Sequence, residues 1–172
     1  MKASLKILPI LFVLVFLGCS DDKANDNGCD DDIITATILD NSNILVTYND
    51  EFDRNDFSIV AGNKLVFTYD FTAAQCDDIS DDEFGQVLNF ELPLNSSSFV
   101  ASDADILGLD AYSYRYGAWV SSNRFQIQQG TIAGEKLDDN RWEITVNVTA
   151  TSTTTPTEEY TIAFTETFEV ED

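Results

Sequence analysis

Histidine is absent from the 172 residues. That removes Ser-His-Asp and Cys-His catalytic arrangements, His-ligated zinc and the side chain that normally serves as a general base near neutral pH. Phosphate-cradling glycine loops are missing too: no G-x-G-x-x-G or Walker pattern occurs. Basic residues are scarce, 9 against 31 acids, for a net charge of −22. A chain this acidic lacks the positive surface that nucleic acid requires, and polybasic docking on anionic lipid is excluded with it. No segment carries a 3.6-residue apolar stripe, and no repeat of fixed period is visible. Acid–base chemistry, if any, falls to Asp and Glu. A carboxylate pair at about 5 Å, or at about 6.5–9.5 Å, is the geometry of glycoside hydrolysis. Among 31 acids some pair meets that spacing by chance, so the count alone does not point to an enzyme.

What is present begins with an apolar run. Lys2 and Lys6 precede Ile7 to Leu17, which is broken only by Pro9. As a helix this run spans about 16 Å at ~1.5 Å per residue, against the roughly 30 Å of a bilayer core. It therefore reads as the hydrophobic region of a signal peptide and not as a spanning anchor. It ends in "FLGC", Phe16-Leu17-Gly18-Cys19, and turns at once to Ser20-Asp21-Asp22. The four residues resemble the lipobox of bacterial lipoproteins, with Phe16 where the usual residue is Leu. The resemblance implies cleavage before Cys19 and acylation of its thiol. The acids that follow resemble the surface-export signal of Bacteroidota lipoproteins. They also suit a solvated tether, since like charges and low hydrophobicity keep a segment extended. The expected organisation is a signal peptide at 1–18, a lipidated acidic tether at 19–32 and one folded domain at 33–172. Cleavage removes Lys2 and Lys6 and no acid, which takes the net charge from −22 to −24. The implied location is the outer membrane, facing the cell surface, or alternatively the periplasm.

With Cys19 assigned to lipid, Cys29 and Cys76 remain as an even pair outside the cytosol, where disulfides persist. A bridge would close a loop of about 48 residues and contribute roughly 4 kcal/mol in the chain-entropy model. The alternative is two free thiols.

From Ile33 on, apolar residues alternate with polar ones. Leu65, Phe67, Tyr69 and Phe71 share a face, as do Leu88, Phe90 and Leu92. Trp142, Ile144, Val146, Val148 and Ala150 form the clearest set, and Tyr160, Ile162, Phe164, Phe168 and Val170 repeat it with a break at Glu166. Period 2 marks half-buried antiparallel strands. Turns are expected at 61–63, at 138–140 and across the Ser/Thr run Thr149 to Thr157. Ser80 and Glu83 make a capping-box pattern that predicts one helical turn. Eight to ten strands indicate an all-β protein, an antiparallel β-sandwich or alternatively a β-barrel. Strands between Arg124 and Val170 are expected to form a meander.

Two kinds of site stand out. Asp77, Asp78, Asp81, Asp82 and Glu83 offer hard oxygen ligands between two strands. They read either as a weak Ca2+ site, lacking EF-hand spacing, or as a solvated acidic loop. Asn49, Asp50, Glu51, Asp53, Asn55 and Asp56 form a second such loop. No other cofactor is expected. In "AYSYRYGAWV", Tyr112, Tyr114 and Tyr116 alternate onto one strand face, and Gly117 allows a bulge that re-aims Trp119. Exposed, this row is a stacking platform for sugar rings or a partner surface. Turned inward, it is a core strand with phenol tips at the rim. Arg115 falls on the opposite face, where acids are its expected partners. The reading is of a lipid-anchored, non-catalytic binding module for a glycan, a protein or an envelope partner. A carboxylate-dependent hydrolase and a structural accessory subunit of an outer-membrane complex are the rivals. The globular part resembles uncharacterised β-rich lipoproteins, a likeness of general pattern that carries no functional residues.

Overall fold

The computed structural model describes residues 29–76, 78–120, 123–152 and 157–171. The leader, Cys19 and most of the acidic tether lie outside the described residues, as do Asp77 and the centre of the Ser/Thr run. The chain forms nine strands: β1 (Ile33–Asn49), β2 (Arg54–Ala61), β3 (Lys64–Thr72), β4 (Phe84–Pro93), β5 (Ser98–Ser102), β6 (Tyr112–Gly117), β7 (Arg124–Lys136), β8 (Arg141–Ser152) and β9 (Glu159–Val170). They join in one sheet of order β2-β1-β3-β4-β6-β7-β8-β9. Strand β5 pairs β7 on the edge it shares with β6. Strands β7, β8 and β9 form the antiparallel meander that the alternation predicts.

The sheet curls until its ends touch. Thr37 pairs Glu169 and Ile38 pairs Val170, in parallel, and Glu171 N–H donates to the Ile38 carbonyl at 3.0 Å. The result is sandwich-like and not a regular barrel. One reason is β1, which turns away from the sheet midway. Its pairing with β3 slips between Leu39 and Ser42, and Asn41 takes a left-handed φ of 47°. Beyond this kink β1 pairs β2 from Ser42–Ala61 to Asn49–Arg54. That hairpin folds over the outer face of β3, β4 and β6.

Aromatic side chains fill the interior. Phe67 stacks on Phe90 at 4.8 Å between ring centroids and meets Trp142 and Phe168 edge-on at 5.5 and 5.7 Å. All four are almost wholly buried. Each contributes about 1.5–3 kcal/mol through burial alone, with more from ring geometry. Along β8, buried and exposed residues alternate from Arg141 to Val148, as period 2 requires.

Cys29 and Cys76 form a disulfide with a sequence separation of 47. Asp30 N–H donates to the Gln75 carbonyl at 2.7 Å, and the Asp32 carboxylate accepts the Ala74 N–H at 2.6 Å. Among the described residues, Cys29 to Asp32, expected in the tether, are thus tied to the segment before Cys76.

Two local expectations need correction. Ser80 to Glu83 form turns and no helix, with Asp81 at φ 64°; the Asp82 carboxylate turns back to accept the Cys76 N–H at 2.7 Å. A 3-10 helix occurs instead at Asp103–Leu109, seated by buried Ile106 and Leu109. Thr149 to Ser152 continue β8, so the connection to β9 is shorter than the Ser/Thr run suggested.

Candidate functional site

Directly opposed residues of neighbouring strands share a face, so the register fixes the outer surface of β3, β4, β6 and β7. Its first row is Thr72, Gly85 and Tyr116. The second is Asp70, Val87, Tyr114 and Arg124, and the third is Thr68, Asn89, Tyr112 and Gln126. The three tyrosines therefore share one face, and it is not the core face. The core side of β6 carries Ser113, which is fully buried, and Arg115. Ser113 donates to the Val87 carbonyl at 2.5 Å. Arg115 lies over the Phe125 and Tyr160 rings at 5.2 and 4.5 Å and pairs Glu158 at 3.2 Å.

Tyr116 is held flat. A Cβ on Gly85 would come within 2.0 Å of the Tyr116 ring, so only the bare backbone of a glycine admits it. The Tyr116 hydroxyl donates to Asp70 at 2.9 Å, and the Thr72 hydroxyl sits 2.7 Å away on its other side. The upper ring face stays open, leaving Tyr116 37% exposed. Gly117 follows at φ 116°, where a Cβ would meet the Glu83 carbonyl oxygen at 2.0 Å. Ala118 N–H donates to that same carbonyl at 3.0 Å. The chain then turns and leaves Trp119, itself left-handed at φ 62°, 90% exposed.

Tyr112 and Tyr114 are covered. Phe57 of β2 packs on both, with ring centroids 5.5 and 5.6 Å apart. The four-ring platform is thus two open rings, Tyr116 and Trp119, running into a cleft roofed by the hairpin. That cleft measures about 310 Å3 and is walled by Phe57, Ile59, Asp70, Val87, Tyr114 and Arg124. Burial raises the Tyr114 phenol above its usual range, and the Asp70 carboxylate adds to this while Arg124 opposes it. One anion and one cation therefore flank that hydroxyl. The Arg124 guanidinium lies over the Tyr114 and Phe57 rings at 4.9 and 5.7 Å, and it is 3.8 Å from Asp56. Its own affinity for protons is lowered, first by burial and then by Arg54.

Further under the hairpin, β4 is buried on both faces. Asn89 and Glu91 are 5% and 3% exposed. Asn89 accepts the Thr68 hydroxyl at 2.8 Å. Glu91 accepts the Ile44 N–H of the hairpin at 2.9 Å and pairs Lys64. The Glu91 hydrogen bond is the main reason that the Lys64 ammonium holds its proton more tightly than usual. Alternation sets Asn89 and Glu91 opposite Leu88, Phe90 and Leu92, the face a half-buried strand leaves to solvent; the hairpin that covers them leaves no signal in that pattern.

The two acid-rich loops differ in how their polar groups are engaged. Among the described residues no three His, Cys, Asp or Glu side chains converge. Asp78, Asp81 and Glu83 point to solvent, and Asp82 is engaged with Cys76. In the second loop the polar groups close a turn. Asn49 donates to Asp56 at 2.7 Å and accepts the Glu51 N–H at 3.1 Å, while Tyr48 donates to Asp53 at 2.5 Å. A separate open trough of about 410 Å3 lies across β5, β7 and β8, with Val100, Glu135 and Glu143 on its walls. Glu135 and Glu143 are direct cross-strand partners, and both are exposed.

The chain matches no protein-family model, no curated protein and no solved structure.

Proposed function

We propose that the protein is a non-catalytic carbohydrate-binding module, anchored through an acylated Cys19 to the outer membrane and facing the cell surface. The observation that carries this reading is Tyr116. Its ring lies flat on Gly85 with one face open, its hydroxyl is fixed by Asp70 and Thr72, and Trp119 stands exposed two residues past Gly117. Sugar rings present C–H faces to aromatic planes and hydroxyls to planar polar side chains. Tyr116 supplies the plane, Asp70 and Thr72 stand at its edge, and Arg124 lies over the adjoining Tyr114 ring. Cation and anion are balanced there, which suits a neutral sugar. The adjoining cleft of about 310 Å3 sets Asn89 and Arg124 beside Phe57, Ile59 and Val87, and concave sites with a few convergent polar groups are where small ligands settle.

Calorimetric titration with a panel of neutral oligosaccharides tests the proposal. At least one binds, and Tyr116→Ala weakens it about tenfold or more, which is at least ~1.4 kcal/mol, without moving the melting temperature by more than a few degrees. A panel without a binder, or a Tyr116→Ala protein that binds as the parent does, overturns it. A second reading, a hydrolase, draws on the opposed Glu135 and Glu143 in their trough. It requires glycosidase activity that Glu135→Gln and Glu143→Gln each abolish.

A further inference from the structure

The tyrosine platform and Cys29, the first described residue, lie at the same end of the molecule. Ile33, Thr72, Gly85 and Tyr116 stand at one level across four strands. Just beyond them Ala73 N–H donates to the Phe84 carbonyl and Ala118 N–H to the Glu83 carbonyl. Beyond these again the Cys29–Cys76 bridge fastens the entering chain, and Asp30 bonds to Gln75. Trp119 projects from this end at 90% exposure, and Ile33, Ile34 and Ile79 are exposed by 60%, 46% and 56%. The opposite end, at the β7–β8 turn, carries Asp138, Asp139 and Arg141 instead.

Ten residue steps separate Cys19 from Cys29. However they are arranged, they span at most about 35 Å at roughly 3.5 Å per residue. An anchor on Cys19 therefore keeps this end within that distance of the bilayer. Around the aromatic rings the same end exposes Asp30, Asp31, Asp32, Asp78, Asp81 and Glu83. Anionic headgroups are repelled by such a fringe. Trp and Ile side chains ringed by polar groups favour the boundary between headgroups and acyl chains.

We infer that the ligand of the Tyr116–Trp119 platform is the neutral sugar headgroup of a glycolipid in the same membrane that carries the anchor. The inference rests on the carbohydrate reading above and on acylation of Cys19. Binding then occurs at high effective concentration, because the tether holds site and headgroup in one layer. A weak intrinsic affinity suffices.

The protein carries its own reporter. Of its two tryptophans, Trp142 is 2% exposed and Trp119 is 90% exposed, so changes in solvent quenching come from Trp119. The full lipidated protein is reconstituted into phosphatidylcholine vesicles with and without a neutral monohexosyl diacylglycerol, and acrylamide quenching is measured. Quenching falls several-fold with a blue shift in the glycolipid vesicles only, and Tyr116→Ala restores it. Equal quenching in both vesicles overturns the inference, as does equal protection in plain phosphatidylcholine, which makes the bare lipid surface the occupant. Failure of the protein to associate with either vesicle removes the anchor and the inference with it. Titration with soluble oligosaccharide separates the two levels. Binding in solution without protection on glycolipid overturns this inference alone; absence of both overturns the carbohydrate reading as well.

Discussion

Gly85 matters for what it lacks. Its missing side chain is the space that the Tyr116 ring occupies, and the ring's orientation follows from that. Adding one methyl group forces the ring off the sheet and takes its hydroxyl from Asp70 and Thr72. Gly85→Ala is expected to lose glycan affinity as fully as Tyr116→Ala does, although residue 85 lies beneath the ring and not against the ligand. Overpacking of this kind costs about 1–3 kcal/mol, so the variant stays folded with a lowered melting temperature. Affinity and melting measured on one sample separate the two effects. Retained affinity would show that the flat ring is not what the ligand uses.

The element that shapes the site is the β1–β2 hairpin, and its clasp is Glu91. Past Ser42 the hairpin strands pair only with each other. What ties them to the sheet is the Ile44 bond to Glu91, the packing of Phe57 on Tyr112 and Tyr114, and the approach of Arg124 to Asp56. Removing Glu91 leaves the Ile44 N–H without its acceptor, a loss of about 1–3 kcal/mol, while Lys64, a third exposed, keeps Asp110 at 3.6 Å. Glu91→Ala should cost that much and should localise it. Amide exchange is expected to speed up across residues 43–60 while β7, β8 and β9 keep their protection. Uniform acceleration would mean the hairpin is not a separate unit.

Sequence legibility divides along the same lines. Alternation tells which residues share a face, and it did so for β3, β4, β8 and β9, because Leu65, Phe90, Ile144 and Ile162 have no other place to go. It cannot tell whether the second face is covered, which depends on a hairpin folding back over β4 from more than 40 positions upstream. Asn89 and Glu91 therefore looked like surface residues. The spacing of Ile106 and Leu109 is the only mark of the 3-10 helix, too short a pattern to distinguish from a loop. The Tyr row was legible as a row; its outward direction is set by Ser113, whose small hydroxyl fits beneath the Val87 carbonyl inside.

For the molecule as a whole, the six tyrosines make a common statement. Tyr48, Tyr69, Tyr112, Tyr114, Tyr116 and Tyr160 all hold their protons more tightly than a free phenol. Desolvation is the leading cause in five, and the bond to Asp53 leads for Tyr48. Above the ordinary phenol value of 10.0 the unfolded chain releases these protons first. Stability is then fully present below pH 10.0 and declines as pH rises through the folded values. Ultraviolet titration of the native protein should show phenolate appearing later than in denaturant, with melting temperature falling over the same interval. Coincident titration curves would contradict the burial described.

The seam between β1 and β9 has a temporal meaning. Thr37 and Ile38 find their partners in Glu169 and Val170, near the other end of the chain. A ribosome delivers one long before the other, and contacts so distant in sequence form slowly. Strand β1 must wait for β9. Until β9 has been made, the sheet has nothing with which to close its seam.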